Sequence, residues 1–323
     1  MTQVVAVDIG GTHARFALAE VAGGKVVSLG EAVTLKTAEH ASLQTAWEDF
    51  ASQVGHPLPR AAAIAVASPI RGDVIKLTNN PWIIRPALVS EKLGVDAHVL
   101  VNDFEAVGHA VAQAEPHHFT RLAGPDLPLP DAGTISIIGP GTGLGVAHIL
   151  RHEGQYHVQA TEGGHIDFAP LDAIEDALLK ALRQRYRRVS VERIVSGPGI
   201  VDIYQTLAAI EERAVHALDD KSLWAMGTSG EDSLAAAAVD RFCLALGSVA
   251  GDIALAQGGS GVVIAGGLGL RIKDSLLTSG FAERFRAKGR FEGLMASIPV
   301  KLITHPQPGL FGAAAAFARK HAS

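Results

Sequence analysis

An internal repeat organises this 323-residue chain. Val4-Val5-Ala6-Val7-Asp8-Ile9-Gly10-Gly11-Thr12 has the same pattern as Ile135-Ser136-Ile137-Ile138-Gly139-Pro140-Gly141-Thr142-Gly143, 131 residues later. Each copy is an apolar strand, then a Gly/Thr turn, then a second apolar run, Arg15–Ala19 in the first and Val146–Leu150 in the second. Glycines between two such runs read as a reversing turn. A spacing close to one domain's length implies two similar domains, each offering one Gly-rich turn to a shared cleft.

The rest of the chain fits that frame. Strand patterns at Ala62–Ala67, His98–Val101, Thr134–Ile138, His157–Thr161, Gly261–Ala265 and Val300–Thr304 alternate with helical ones. The helices are read at His40–Val54, Pro86–Leu93 closed by Gly94, about 104–114, Gly199–Arg213, Asp232–Ala256 and Leu310–Lys320. Asp172 opens a further helix in a capping-box pattern with Glu175, and the arginines 183, 185, 187 and 188 sit where cations complement a helix C-terminus. Glu115–Gly133, broken by prolines, reads as the domain crossing. Alternating strands and helices indicate an α/β architecture.

Composition removes several classes of function. With 48% hydrophobic and 19% charged residues the chain is not disordered. Its 28 Lys+Arg against 33 Asp+Glu give a net charge of −5, which excludes the basic footprint of a nucleic-acid binder. One cysteine, Cys243, makes neither an internal disulfide nor a Cys-rich zinc site, and fits a reducing compartment. There is no signal-peptide pattern and no run of about 18 apolar residues free of Gly, Pro or charge, so a cytoplasmic protein without a membrane span is expected.

Six features carry chemistry to be weighed. In Asp8–Thr12, glycines let the backbone approach a ligand and leave N–H groups for phosphate oxygens, while Asp8 makes sense beside phosphate if Mg²⁺ or its water shell lies between. The plainer reading is a simple hairpin turn. Gly139–Gly145 is neither a P-loop nor a dinucleotide fingerprint, having no Lys-Ser/Thr and Leu144 where that fingerprint needs glycine. Asn102-Asp103 ends a strand, where open α/β sheets bind ligands; locally, a cap for the next helix is the simpler role. Glu162-Gly163-Gly164-His165 can offer one acceptor and one donor to a polyol, and is too sparse for a metal site. Glu192, at a helix start, reads locally as a dipole partner. Gly266-Gly267 offers a flat surface for an adenine or ribose, or close helix–strand packing.

Taken in order, these segments resemble the zinc-free branch of the bacterial glucokinase family along nearly the whole chain. The matching stretches are Asp8–Arg15, Thr78-Asn79-Asn80-Pro81-Trp82, Val101–Phe104, Gly139–Gly145, Glu162–Pro170 and Glu192–Gly199. The related ROK family shares the Asp-x-Gly-Gly-Thr and Glu-x-Gly-His patterns, but its zinc-binding cysteines are absent here.

The resemblance implies an actin-like ATPase (ribonuclease H-like) fold of two α/β domains flanking a cleft. The small domain would hold 1–113 plus 306–323 and the large one 114–305. It further implies ATP-dependent phosphorylation of the 6-hydroxyl of glucose, a glycolytic reaction, with Mg²⁺ as the ion. Asp103 would be the general base. Asn79, Asn102, Asp103, Glu162, His165 and Glu192 would bind sugar, and Asp8 would hold Mg²⁺ through water. Gly10, Gly11, Thr12, Gly141, Thr142, Gly143, Gly266 and Gly267 would bind the nucleotide. A homodimer is the family expectation. The alternatives are a sugar-sensing protein without catalysis and a kinase for another hexose.

Overall fold

The computed structural model describes residues 1–77, 80–214 and 217–322. The chain forms two compact units: Met1–Glu115 with Val158–Ala160 and His305–Ser323, and Pro116–His157 with Thr161–Thr304.

In the first unit, strands β1 (Thr2–Ile9), β2 (His13–Ala22), β3 (Lys25–Leu29) and β4 (Val33–Lys36) precede helix α1 (Leu43–Val54). Strands β5 (Ala61–Val66), β6 (Ile75–Lys76) and β7 (Ile83–Ile84), helix α2 (Val89–Leu93), strand β8 (Ala97–Asn102) and helix α3 (Asp103–Gln113) follow. The main sheet runs β3-β2-β1-β5-β8, with β4 on β2. Strand β1 is antiparallel to β2 and parallel to β5, which is parallel to β8.

Near-continuous apolar runs in β1 and β5 fit strands covered on both faces. On one face, Val5, Val7 and Ile9 meet Trp47 and Phe50 of α1. On the other, Val4, Ala6 and Ala63 meet Leu310, Ala313 and Phe317 of the C-terminal helix, Pro308–Lys320. That helix presses on α3 so closely that a Cβ on Gly312 would lie 1.7 Å from the Ala106 carbonyl oxygen. Only glycine permits this approach.

The second unit repeats the plan with strands β9 (Phe119–Ala123), β10 (Gly133–Pro140), β11 (Leu144–His152), β12 (Gln155–Thr161), β13 (Gly259–Ile264) and β14 (Val300–Ile303). Its order is β12-β11-β10-β13-β14-β9. Strand β10 is antiparallel to β11 and parallel to β13, which is parallel to β14. A hairpin followed by two parallel strands thus occurs twice, the duplication of the actin-like ATPase fold.

The helices of this unit are α4 (Ala173–Arg183), α5 (Gly199–Ile210), α6 (Asp220–Ser229), α7 (Ser233–Gln257), α8 (Gly266–Arg271), α9 (Lys273–Thr278), α10 (Phe281–Arg286) and α11 (Glu292–Ala296). Helix α7 is long and apolar enough to cross a membrane, yet 72% of its most apolar window is buried within the fold. It is the core helix, with Phe242, Cys243 and Leu246 fully buried. Burial pushes the Cys243 thiol up to about 12, as an inert core thiol requires.

Several local expectations need correction. The proline-broken segment Glu115–Gly133 is more than a crossing: it contains β9, paired antiparallel to β14 at the sheet edge. The helices α6 and α8–α11 escape the sequence patterns because most are single turns or two. Asp172 caps α4 as expected, but the capping box does not close. Glu175 instead accepts the Leu171 N–H at 2.7 Å. Helix α4 ends at Arg183; Arg185 pairs with Asp202 and Arg188 with Asp167, so these two serve neighbouring segments rather than the helix terminus.

Candidate active site

In the first unit the ladder itself gathers the carboxylates. Ile9 pairs with Val66, and Val66 with Asn102, so β1, β5 and β8 end in line at their C-terminal edge. This is where parallel sheets present ligand-binding groups. Asp8 lies one residue inside that edge, its Oδ2 3.3 Å from Nη1 of Arg15, its partner across the hairpin. Burial raises the Asp8 pKa, against the opposing pull of Arg15.

The cap reading of Asn102-Asp103 resolves between the two residues. Asn102 is the cap of α3: its Oδ1 accepts the N–H groups of Phe104 and Glu105, and its Nδ2 donates to the Ser68 carbonyl. Asp103 is therefore relieved of that duty. It occupies the first helical position, with Oδ1 2.9 Å from the Phe104 nitrogen. A helix N-terminus lowers a carboxylate's pKa. Here burial wins, the negative charge of Asp8 adds to it, and Asp103 is pushed up to about 6. A carboxyl held near neutrality by burial and a like charge is what a general base at physiological pH needs.

The Gly10–Thr12 turn is tighter than a fully open cradle. The Gly10 N–H donates to the His13 carbonyl at 2.9 Å, so it is not free for phosphate as the sequence suggests. No acceptor among the described residues takes the N–H of Gly11 or Thr12. The Thr12 hydroxyl lies 2.9 Å from Nδ1 of His13. Two residues to which the sequence assigns no role, Thr37 and the motif residue Asn80, hold the turn from outside. Buried Thr37 donates its hydroxyl to the Gly11 carbonyl and its N–H to the Thr12 carbonyl. Buried Asn80 donates Nδ2 to the Gly10 carbonyl while its Oδ1 accepts the Trp82 N–H. Asn79, the neighbour expected at the sugar, lies outside the described residues, as does Thr78.

In the second unit, Gly141 N–H donates to the Gly143 carbonyl, so it too is committed within its turn. Thr142 and Gly143 keep N–H groups without an acceptor among the described residues. Glu192 corrects its local reading. Its carboxylate leaves its own 3-10 turn, Val191–Arg193, and accepts the Leu144 N–H at 2.8 Å. A Cβ on Gly143 would stand 2.4 Å from that same Oε2. The turn is tied a second time by Gly197, whose N–H donates to the Gly141 carbonyl at 2.7 Å.

Glu162 and His165 sit on the 3-10 turn Gly163–His165, with His165 Nε2 3.9 Å from Glu162 Oε2. Both side chains are exposed. This segment is zipped to the Glu192 segment: Val191 N–H donates to the Ile166 carbonyl, Phe168 N–H to the Val189 carbonyl, and Asp167 bridges Ser190. The intervening glycines serve packing against β11. A Cβ on Gly164 would be 2.2 Å from the Leu144 carbonyl oxygen, and one on Gly163 would be 2.9 Å from Val146. Gly164→Ala is therefore expected to lower the unfolding free energy by about 1–3 kcal/mol, as overpacking does. Urea titration checks it; an unchanged midpoint would mean the contact relaxes freely.

Gly266 opens α8 at φ +87°, where a side chain is strained, and its Cβ would meet the Pro140 carbonyl at 2.9 Å. Gly267 faces open space. No group of three or more metal-binding side chains occurs among the described residues. For Mg²⁺ the donor chemistry still fits, because this ion is commonly held by one or two carboxylates and completes its shell with water and phosphate. Asp8, at the end of β1, is a carboxylate of that kind.

The family model described as Glucokinase matches residues 5–320. The chain belongs to the glucokinase family. The glucokinase of Zymomonas mobilis is 63% identical over 319 residues, covering 99% of this chain and 98% of the relative. The glucokinase of Caulobacter vibrioides is 44% identical, covering 96% and 93%. Among solved structures, a glucokinase from an Antarctic psychrotroph superposes with a TM-score of 0.87 at 34% identity, covering 98% of each chain. A ROK family glucokinase from Streptomyces griseus, solved with glucose and AMPPNP, has a TM-score of 0.63 at 19% identity, covering 98% and 99%, and speaks to the fold alone. All six motif stretches, and both repeats apart from Val4, fall within the glucokinase match.

Proposed function

We propose that this chain phosphorylates glucose at the 6-hydroxyl with ATP, giving glucose 6-phosphate and ADP, and that Asp103 is the general base. The observation that carries the base assignment is the Asp103 carboxyl, raised to about 6 by burial and by Asp8, at the C-terminal edge of the parallel strands. Its ionised form takes the proton of the 6-hydroxyl as that oxygen forms a bond to the γ-phosphorus; the bond from the γ-phosphorus to the bridging oxygen breaks, and ADP leaves. A base in this role contributes about 10²–10⁴-fold.

The remaining residues divide between sugar and nucleotide. Asn102, Glu162, His165 and Glu192 bind sugar hydroxyls, with Asn79 assigned by its motif. Glu192 joins the two tasks, since it also holds the Leu144 N–H beside the Gly141–Gly143 turn. The free N–H groups of Gly11, Thr12, Thr142 and Gly143 face phosphate oxygens, and Gly266 and Gly267 accept the nucleoside. Asp8 would hold Mg²⁺, which when bound would neutralise charge on the phosphates. A glycolytic role in the cytoplasm and a homodimeric state belong to the same proposal.

The test is ADP release from Mg-ATP with glucose, mannose, fructose, galactose and N-acetylglucosamine. Release that depends on glucose is expected. No release with any sugar, while glucose still raises the melting temperature, would replace the kinase by a sugar sensor.

Asn80 supplies a separate check on the nucleotide turn. Asn80→Ala strips the Gly10 carbonyl and the Trp82 N–H of their partners, a loss of about 1–3 kcal/mol. The expected result is a KM for ATP raised about tenfold, with the KM for glucose within about twofold of wild type. Equal rises in both would show general misfolding instead.

A further inference from the structure

A groove of about 180 Å³ opens on the first unit between the start of α1 and the segment from β7 to α2. Its floor is apolar: Leu43, Ile84, Val89 and Leu93 are all buried. Two cations line it, Arg85 and Lys92, and neither makes an ion pair among the described residues. No acidic residue lines it. The apolar floor beside two cations suits a short acyl chain that ends in an anion.

Both walls of this groove begin a few residues along the chain from the tethers of the Gly10–Thr12 turn. The residue before Ile83 is Trp82, whose N–H is held by Asn80, and Asn80 in turn holds the Gly10 carbonyl. The Trp82 indole N–H donates to the His40 carbonyl at 2.8 Å, two residues before Ser42 caps α1. Thr37, three residues before His40, holds Gly11 and Thr12. A ligand that wedges or clamps the groove displaces Ser42 and Ile83, which are two and one residues from His40 and Trp82, and so can reach the hydrogen bonds that fix the turn through the backbone.

We propose that this groove is an effector site for a small amphipathic anion, an apolar body of short acyl length ending in one carboxylate or phosphate, and that its occupancy is linked to nucleotide affinity. The apolar floor takes the body and Arg85 and Lys92 take the charge. Binding itself is independent of the proposed kinase activity; the link to nucleotide affinity rests on that reading.

The test is calorimetric titration of the full chain with octanoate. Octanol and acetate, which carry the tail and the charge separately, are the controls. Saturable octanoate binding is expected in wild type and in Asp103→Asn, weakened about tenfold or more in the double variant Arg85→Gln/Lys92→Gln, while both controls bind more weakly than octanoate. Saturating octanoate is then expected to shift the Kd for ATP several-fold in wild type and not in the double variant. No saturable binding up to about 10 mM, or equal affinity in the double variant, overturns the site. An unchanged Kd for ATP overturns the linkage. Failure of ATP to bind at all would sink the kinase reading and leave the octanoate result standing.

Discussion

Asp103→Asn is expected to reduce turnover with glucose by about 10²–10⁴-fold while glucose binding persists. Asparagine keeps the volume and the contact to the Phe104 N–H, but it accepts no proton from the sugar hydroxyl. The variant is also expected to be at least as stable as wild type at neutral pH. Burial raises the Asp103 pKa from 3.8 to about 6, so the folded chain binds more protons than the unfolded one across that window. Its stability accordingly falls as pH rises through the window, by an amount of order 2–3 kcal/mol once the group is ionised. Asparagine is neutral at every pH and lacks this decline. Turnover above about a tenth of wild type would remove Asp103 as the base. Lost turnover with lost stability would mean that the helix start, rather than the chemistry, had been damaged.

The second large effect is on the acid limb of the rate profile. Only ionised Asp103 accepts the proton, so kcat/KM for glucose is expected to level off above about 6 and to fall about tenfold per pH unit below it. From pH 7 to pH 4 that amounts to about a hundredfold. The like charge of Asp8 contributes to the elevation, so Asp8→Asn is expected to move the limb to lower pH, whatever it does to the plateau. Steady-state kinetics of both proteins between pH 4.5 and 8 decide the point. A flat wild-type profile across that range contradicts the assignment. An unmoved limb in Asp8→Asn shows that burial alone sets the value.

The sequence makes some of this site visible for definite reasons. The two turns are legible because β-branched runs flank Gly and Thr, and the same signal recurs in both units. The position of Asp103 at a strand end is legible because His98–Val101 is a plain apolar run. The division of labour that leaves Asp103 unburdened is not, since Asn and Asp are both good caps and only the fold selects Asn102. Glu192 looks like a first-turn acid because its true partner, the Leu144 N–H, is 48 residues away in the chain. Thr37 leaves no local mark, because it acts through bonds to distant carbonyls, and Asn80 lies in a matching stretch that gives no sign of its bond to the Gly10 carbonyl. The run of short helices from α8 to α11 is hidden for another reason: one or two turns are too few for a 3.6-residue period to emerge.

The C-terminal helix covers a whole face of the first sheet, although it follows every residue of the second unit in the chain. During synthesis the second unit's strands and core helix all emerge before it. Until it arrives, Val4 and Ala6 lack the Leu310, Ala313 and Phe317 that pack on that side. The nascent first unit must therefore wait, half-clothed, through most of translation, with the exposed apolar surface that makes incomplete chains prone to aggregate. A stall or premature stop late in the message would release a chain with one finished unit and one raw apolar sheet, a form fit for proteolysis rather than partial activity.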